Sequence, residues 1–273
     1  MALPTREEIE ATSADPKSLF KFYGFNRNAL ACLIGREVWL ANPASLNDPF
    51  DMFIPPTSEA DFAREREALA RINKAQAKPL SDEGFAESWA ATRDTLTKLQ
   101  EVLPRCGIFS MSATPYELLL WSHYADNHRG FCIQYERRKG NVLGEKAQQV
   151  VYSSKRPISL LRTLGDTGSI TACVEAVVTT KAPCWAYEKE WRLVYPLNEG
   201  ERTLALTGPP LGTRIQSVIL GMRIDEEHIR TLIHAFRGGP EIEFHKMRMD
   251  PQRYEVEPFP VAVDWERAEI KAL

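Results

Sequence analysis

The sequence predicts an α+β fold: a mixed, mostly antiparallel sheet core with flanking helices and an inserted helical hairpin. Three observations predict it. Short runs such as LFKFYGF, FCIQYE and RIQSVILG alternate with the period of strands. Between them lie segments with helix-start residues and apolar positions three and four apart, as in DEEHIRTLIHAF. From about residue 57 to 105 the composition shifts to Ala, Glu, Lys, Arg and Gln, the hairpin signal. The expectation is a single domain over residues 1–273 with this insertion.

Taken in order, LFKFYGF is a strand leading into NRNALACLIG, a short helix capped by Asn26 or Asn28 and ended by Gly35. EVWLAN is a strand, and PASLNDPFD, with two prolines, an Asn and two Asp, is a structured turn. After the hairpin, CGIFSMS reads as a strand. In TPYELLLWSHYADNHRG, Thr114 is the expected N-cap, Pro115 the first helical position and Glu117 the partner in a capping box. Leu118, Trp121 and Ala125 should face the core, and Gly130 separates this helix from the strand FCIQYE. SITACVEAVVTTK fits helix or strand and is assigned helix; WAYEKEWRLVYP reads as a strand. RIQSVILG, DEEHIRTLIHAFRGG and EIEFHKMRM then read as strand, helix and strand, with Asp225 capping the helix and Gly238 ending it. YEVEPFPV adds an edge strand.

With 44% hydrophobic and 26% charged residues, the chain can bury a substantial core, and its formal net charge of −3 excludes the strong positive field of a general nucleic-acid binder. No run approaches the roughly 20 apolar residues that cross a bilayer, and the start MALPTREEIEAT lacks a signal-peptide pattern, so no membrane association and a cytoplasmic location are expected. Cys32, Cys106, Cys132, Cys173 and Cys184 are widely spaced and read as reduced core residues.

Three short segments concentrate unusual polar residues. In Leu46-Asn47-Asp48-Pro49-Phe50, Asn47 and Asp48 either hydrogen-bond a ligand or form an Asx turn that satisfies their own backbone. The second, Trp121 to Gly130, brings His123, Tyr124, Asp126, His128 and Arg129 onto one helical turn and its exit, groups that bind polar ligands or move protons. The five-residue spacing of His123 and His128 does not suit two metal ligands on one helix face, and no metal is expected. In the third, Trp185 to Arg192, a strand would place Glu188, Glu190 and Arg192 on one face. Paired carboxylates there suit a general base or a grip on sugar hydroxyls, and Arg192 a phosphate; a solvated ion-paired face is the alternative.

The strings LFKFYG, VWLANPASLNDPFD, LLLWSHYADNHRGFCIQY and WAYEKEWRLV together resemble a mainly bacterial family, domain of unknown function 2971, over roughly residues 19 to 222. That resemblance implies no particular activity. A more distant resemblance is to the ADP-ribosyltransferase-like fold, in which a late strand presents Glu-x-Glu to the NAD ribose. It implies Glu190 as the catalytic carboxylate, Glu188 as its partner and NAD as a substrate. Lys21 or Tyr23 stands where that fold usually has a His or Arg, and its Ser-Thr-Ser element is missing from the usual place.

The expected site is therefore Glu190, Glu188 and His123 as catalytic groups, with Lys21, Tyr23, Asn47, Asp48, Tyr124, His128 and Arg192 binding a nucleotide or small-molecule ligand. The leading expectation is ADP-ribosyl transfer to a protein or nucleic-acid acceptor, or NAD glycohydrolysis. Two alternatives stand beside it: a non-catalytic ligand- or partner-binding module, and a metal-dependent phosphodiesterase using Asp48, His123, His128, Glu188 and Glu190.

Overall fold

The computed structural model describes residues 3–54, 58, 60, 63–64, 66–67, 81–156, 170–198, 200–206, 211–238 and 242–273. Thr5 opens α1 (Arg6–Ala11): its hydroxyl accepts from the Glu8 amide, and the Glu8 carboxylate accepts from the Thr5 amide. SLFKFY forms β1 (Ser18–Tyr23). Asn26 then caps α2 (Arg27–Gly35) through the Ala29 amide, and Arg36 ends it in the left-handed region at φ 54°. After β2 (Glu37–Trp39), the second arm of the expected hairpin is α3 (Asp82–Val102), opened by the Ser81 hydroxyl on the Gly84 amide; most of the first arm lies outside the described residues. β3 (Cys106–Ser112), α4 (Leu118–Tyr124), β4 (Phe131–Glu136), α5 (Val142–Lys146), β5 (Gln148–Gln149) and β6 (Val151–Tyr152) follow. The ambiguous segment is a helix, α6 (Ile170–Thr179), ahead of β7 (Thr180–Lys181). β8 (Glu190–Pro196), β9 (Thr203–Ala205), β10 (Ile215–Leu220), α7 (Glu226–Phe236), β11 (Glu243–Met249), β12 (Val256–Asp264) and β13 (Glu269–Ala272) complete the order.

Four local expectations are corrected. The capping box at Thr114 does not form, because the Thr114 hydroxyl accepts the Tyr116 amide two residues on; the helix begins at Leu118 with Glu117 at its N-cap. WAYEKEWRLVYP is not one strand: Pro183–Glu188 is a 3₁₀ turn, and Lys189 at φ 44° redirects the chain into β8. Asp225 stands at the N-cap of α7 without a side-chain capping bond. Cys32, Cys106 and Cys132 are buried thiols, but Cys184, on the 3₁₀ turn, is exposed; the side chain of Cys173 lies outside the described residues.

Two units make up the chain. The first comprises Met1–Ala41, Gly107–Val150 and Cys184–Leu273. Its centre is a nine-stranded sheet in the order β13-β12-β11-β10-β4-β1-β3-β8-β5, in which β10 and β11 are parallel, while β1 with β3, β1 with β4, β4 with β10, β11 with β12, β12 with β13 and β5 with β8 are antiparallel. Strand alternation sorts the side chains onto two buried faces. Leu19, Phe109, Ile133, Tyr135, Trp191 and Leu193 join the larger core with residues of α2 and α7. Phe20, Phe22, Cys132 and Met247 face the other way, under α1 and α4, which contribute Ile9, Leu120 and Trp121. At the outer margin β13 pairs only with Val261–Asp264, and the earlier part of β12 sets Pro258 opposite Met247 and Pro260 opposite His245.

The second unit comprises Asn42–Cys106 and Val151–Pro183. It holds α3, α6 and the parallel β6–β7 pair, and Gln100 donates to the Ile54 carbonyl at 3.3 Å. Lys181 and Asp51, both buried, approach to 3.8 Å, and Arg156 lies over the rings of Phe50 and Phe53 at 5.1 and 5.3 Å. Among the described residues no helix is long and apolar enough to cross a membrane.

Candidate functional site

The polar cluster of the first unit begins with Trp121. Its indole N–H donates to the Pro115 carbonyl at 2.7 Å and its ring meets Phe22 edge-on at 5.1 Å, which fixes α4 against the sheet. The last turn of α4 then presents His123 and Tyr124. Because Trp191 and Leu193 belong to the larger core, alternation along β8 turns Glu190 and Arg192 to the opposite face, the one α4 covers. Glu188 arrives from the 3₁₀ turn. The Ser112 hydroxyl donates to its carbonyl at 2.7 Å, and the Ala113 amide donates to the Lys189 carbonyl at 2.9 Å. The left-handed backbone at Lys189 lets two residues so close in sequence both bury carboxylates, and each is 4% exposed.

The Tyr124 hydroxyl donates to Glu188 Oε1 at 2.7 Å. Arg192 donates from Nε to Glu190 Oε1 at 2.7 Å and from Nη2 to Oε2 at 2.9 Å, a bidentate pair whose guanidinium is 1% exposed. At that depth a lone charge would be strongly disfavoured, and the fork geometry is what offsets the lost hydration. His123 Nδ1 lies 3.1 Å from the Tyr187 hydroxyl. Burial pushes the Tyr187 phenol up to about 12, with Glu188 and Cys184 adding to the shift, so it stays protonated at neutral pH and donates when Nδ1 carries the lone pair. His123, Tyr187 and Trp185 form an aromatic rim: the ring centroids of His123 and Trp185 lie 6.2 and 6.1 Å from that of Tyr187.

Five of the residues expected from the sequence are thus brought together: His123, Tyr124, Glu188, Glu190 and Arg192. Lys21 and Tyr23 are set on the other sheet face. Lys21 pairs with Ile133 and its ammonium lies 5.6 Å from the centre of the Phe109 ring. The Tyr23 hydroxyl lies 3.0 Å from that of Tyr135, where burial raises the Tyr23 phenol well above its ordinary value. His128 leaves the cluster on the loop after α4, with Nε2 3.2 Å from the Ser122 hydroxyl. Asn47 and Asp48 belong to the second unit. Asp48 is buried and its Oδ1 accepts the Phe50 amide at 2.8 Å, the Asx turn of the sequence reading, while Asn47 is exposed.

Ser112 and Tyr187 join the cluster without a sequence signal of their own, since a serine in a strand and a tyrosine in an aromatic run are ordinary. The His123–Tyr187 contact spans 64 residues of chain, a separation that no local pattern reports. Among the described residues no group of three or more His, Cys, Asp or Glu side chains is placed to hold a metal ion.

No curated protein and no solved structure matches the chain. A family model does. Residues 120–193 match the family described as "Protein of unknown function (DUF2971)", which bears out the resemblance drawn from the motifs, and the matched segment runs from α4 to β8, the two elements that build the cluster.

Proposed function

We propose that this protein is a cytoplasmic enzyme acting on a nucleotide, transferring ADP-ribose from NAD or hydrolysing NAD, with its chemistry at the Glu188–Glu190–Arg192 cluster. What carries this reading is one arrangement: a buried carboxylate fixed by a phenol at 2.7 Å and, two residues along the chain, a second buried carboxylate fixed by a guanidinium fork. Cleavage of a ribose–nicotinamide bond develops positive charge on the sugar, and a carboxylate oriented in advance stabilises it without reorganising at the moment of reaction. Glu190 takes that role. Glu188 holds the ribose hydroxyls while Tyr124 holds Glu188, and the rim of His123, Trp185 and Tyr187 offers faces for a base or a nicotinamide ring. Arg192 holds Glu190 in position through both of its oxygens.

Nicotinamide release from NAD, alone and with cell RNA, DNA and protein as acceptors, tests this. Wild type should release it, and Glu188→Gln and Glu190→Gln should each slow release by about a hundredfold or more, the scale of losing one electrostatic group. Urea denaturation of the same preparations separates lost chemistry from lost folding. Full turnover in Glu190→Gln, or none in wild type with any acceptor, removes the reading.

One observation favours a second reading, a non-catalytic module: both oxygens of Glu190 are engaged by Arg192 in the interior, as a structural brace would be. On that reading Glu190→Gln lowers the melting temperature and no turnover exists to be lost.

A further inference from the structure

On the first unit, away from the carboxylate cluster in its lining, a cavity of about 500 Å³ is bounded by Leu118, His128, Met222, Arg223, Arg253 and Tyr254, together with the loop between β11 and β12. Its volume is in the range of small-molecule sites. Its construction is costly, which argues against an incidental hollow. Asp126, Asn127 and His128 are three successive non-glycine residues in the left-handed region, at φ 47°, 52° and 69°. The run is held by the neighbouring chain: the Arg223 amide donates to the His128 carbonyl at 3.0 Å and the Gly221 amide to the Gly130 carbonyl at 2.9 Å. A β-carbon at 221 would come 2.2 Å from the His128 carbonyl oxygen, so only glycine permits this approach. The same contacts place Arg223 beside His128.

The charges of the lining are unevenly satisfied. Asp250 is engaged by its own loop, its Oδ1 accepting the Gln252 and Arg253 amides at 2.7 and 3.0 Å, and Glu255 lies 3.7 Å from Arg6. Among the described residues neither Arg223 nor Arg253 has an acidic partner. His128 Nδ1 is buried and finds no hydrogen-bond partner among the described residues, and its basicity is lowered by burial and by the Arg223 charge. Tyr254, at the mouth, is fully exposed. An exposed aromatic beside two uncompensated guanidinium groups is the pattern that stacks a base and pairs with a phosphate.

We propose that this cavity binds a phosphorylated small molecule with a planar ring, of the mononucleotide class, with Arg223 and Arg253 on the phosphate and Tyr254 on the ring. The proposal does not rest on the NAD reading, since it concerns binding by other residues.

Isothermal titration of the full chain with AMP and, separately, with inorganic phosphate at low ionic strength tests it. AMP should bind wild type more tightly than phosphate does. The Arg223→Ala/Arg253→Ala double variant should weaken AMP by about a hundredfold, roughly tenfold per charge-assisted contact. Tyr254→Ala should weaken AMP alone by about three- to tenfold and leave phosphate unchanged. Arg230→Ala, an exposed arginine paired with Glu226 on α7, should change neither. The altered side chains are exposed, so unchanged melting temperatures should accompany these effects. Absence of AMP binding up to about 10 mM, or equal binding by the double arginine variant, overturns the site. Equal affinity for AMP and phosphate with no effect of Tyr254→Ala overturns the nucleotide assignment.

Discussion

Arg192, with 1% of its surface exposed, needs a counter-charge inside the protein, and it takes both oxygens of Glu190. Removing one partner of such a pair costs about 3–5 kcal/mol, because the other charge is left behind in the interior. That is why Glu188→Gln belongs beside Glu190→Gln in the turnover assay: its amide oxygen can still accept the Tyr124 hydroxyl, so its effect reads chemistry more cleanly. His245 poses the opposite problem, a buried base with no ion pair among the described residues. It is 6% exposed, its Nδ1 has no partner among the described residues, and burial lowers its proton affinity despite the opposing pull of Glu243. In the unfolded chain the imidazole regains its ordinary value of about 6.5, so below that pH the unfolded state binds more protons than the folded one. Stability contributed by the neutral ring is therefore complete above pH ~6.5 and is lost as pH falls toward the depressed folded value. Thermal melts from pH 7.5 down to pH 5, as about the range in which histidine titrates, should show a steeper fall for wild type than for His245→Leu. His128 shifts in the same direction in both proteins, so the difference isolates His245; each ~1 kcal/mol appears as about 2–4 °C. Parallel slopes would show that His245 titrates normally.

At the scale of elements, the loop joining α4 to β4 and the turn after β10 depend on each other. Gly221→Ala should force the His128 carbonyl away and cost about 1–3 kcal/mol in urea denaturation, as overpacking does. A cost below about 0.5 kcal/mol, the range of ordinary surface changes, would show that the left-handed run yields freely. These elements also show what the sequence makes legible. Alternation in LFKFYGF, FCIQYE and RIQSVILG marks β1, β4 and β10 because their apolar side chains are needed at period two. The spacing in EEHIRTLIHAF marks α7, where Ile229, Leu232, Ile233 and Phe236 are buried. What local patterns miss is competition for a hydrogen bond. Thr114-Pro115-Tyr116-Glu117 has the residues of a capping box, but the Thr114 hydroxyl takes the Tyr116 amide, the Ser112 hydroxyl binds the Glu188 carbonyl, and Glu117 lies 3.4 Å from Lys189. Partners more than 70 residues away along the chain hold that segment in place. The candidate site divides for a related reason. Period two marked Glu190 and Arg192 as sharing a face, whereas Lys21 and Tyr23 sit on a strand buried on both sides, where alternation does not say which face meets α4.

For the whole molecule, burial of both sheet faces leaves the strand margins as the places where backbone groups meet solvent. Among the described residues β12 pairs with β13 only from Val261 onward, so its first half has no strand partner on that side. Proline has no N–H, and 258 and 260 lie two apart, so both positions fall on the same side of the strand. Pairing with Met247 and His245 across β11 puts that side outward, because a proline fits an antiparallel ladder only where no donor is required. A second chain approaching this margin finds two consecutive outward positions that cannot donate, and the cross-chain ladder that would begin an aggregate has no start there. Replacing both with threonine, Pro258→Thr/Pro260→Thr, should leave the fold intact while making light scattering rise with concentration and heating; scattering equal to wild type would mean that these prolines do not guard the margin. A rise in scattering would place the role of the two residues in colloidal behaviour, at a position outside the lining of the cavity and the carboxylate cluster.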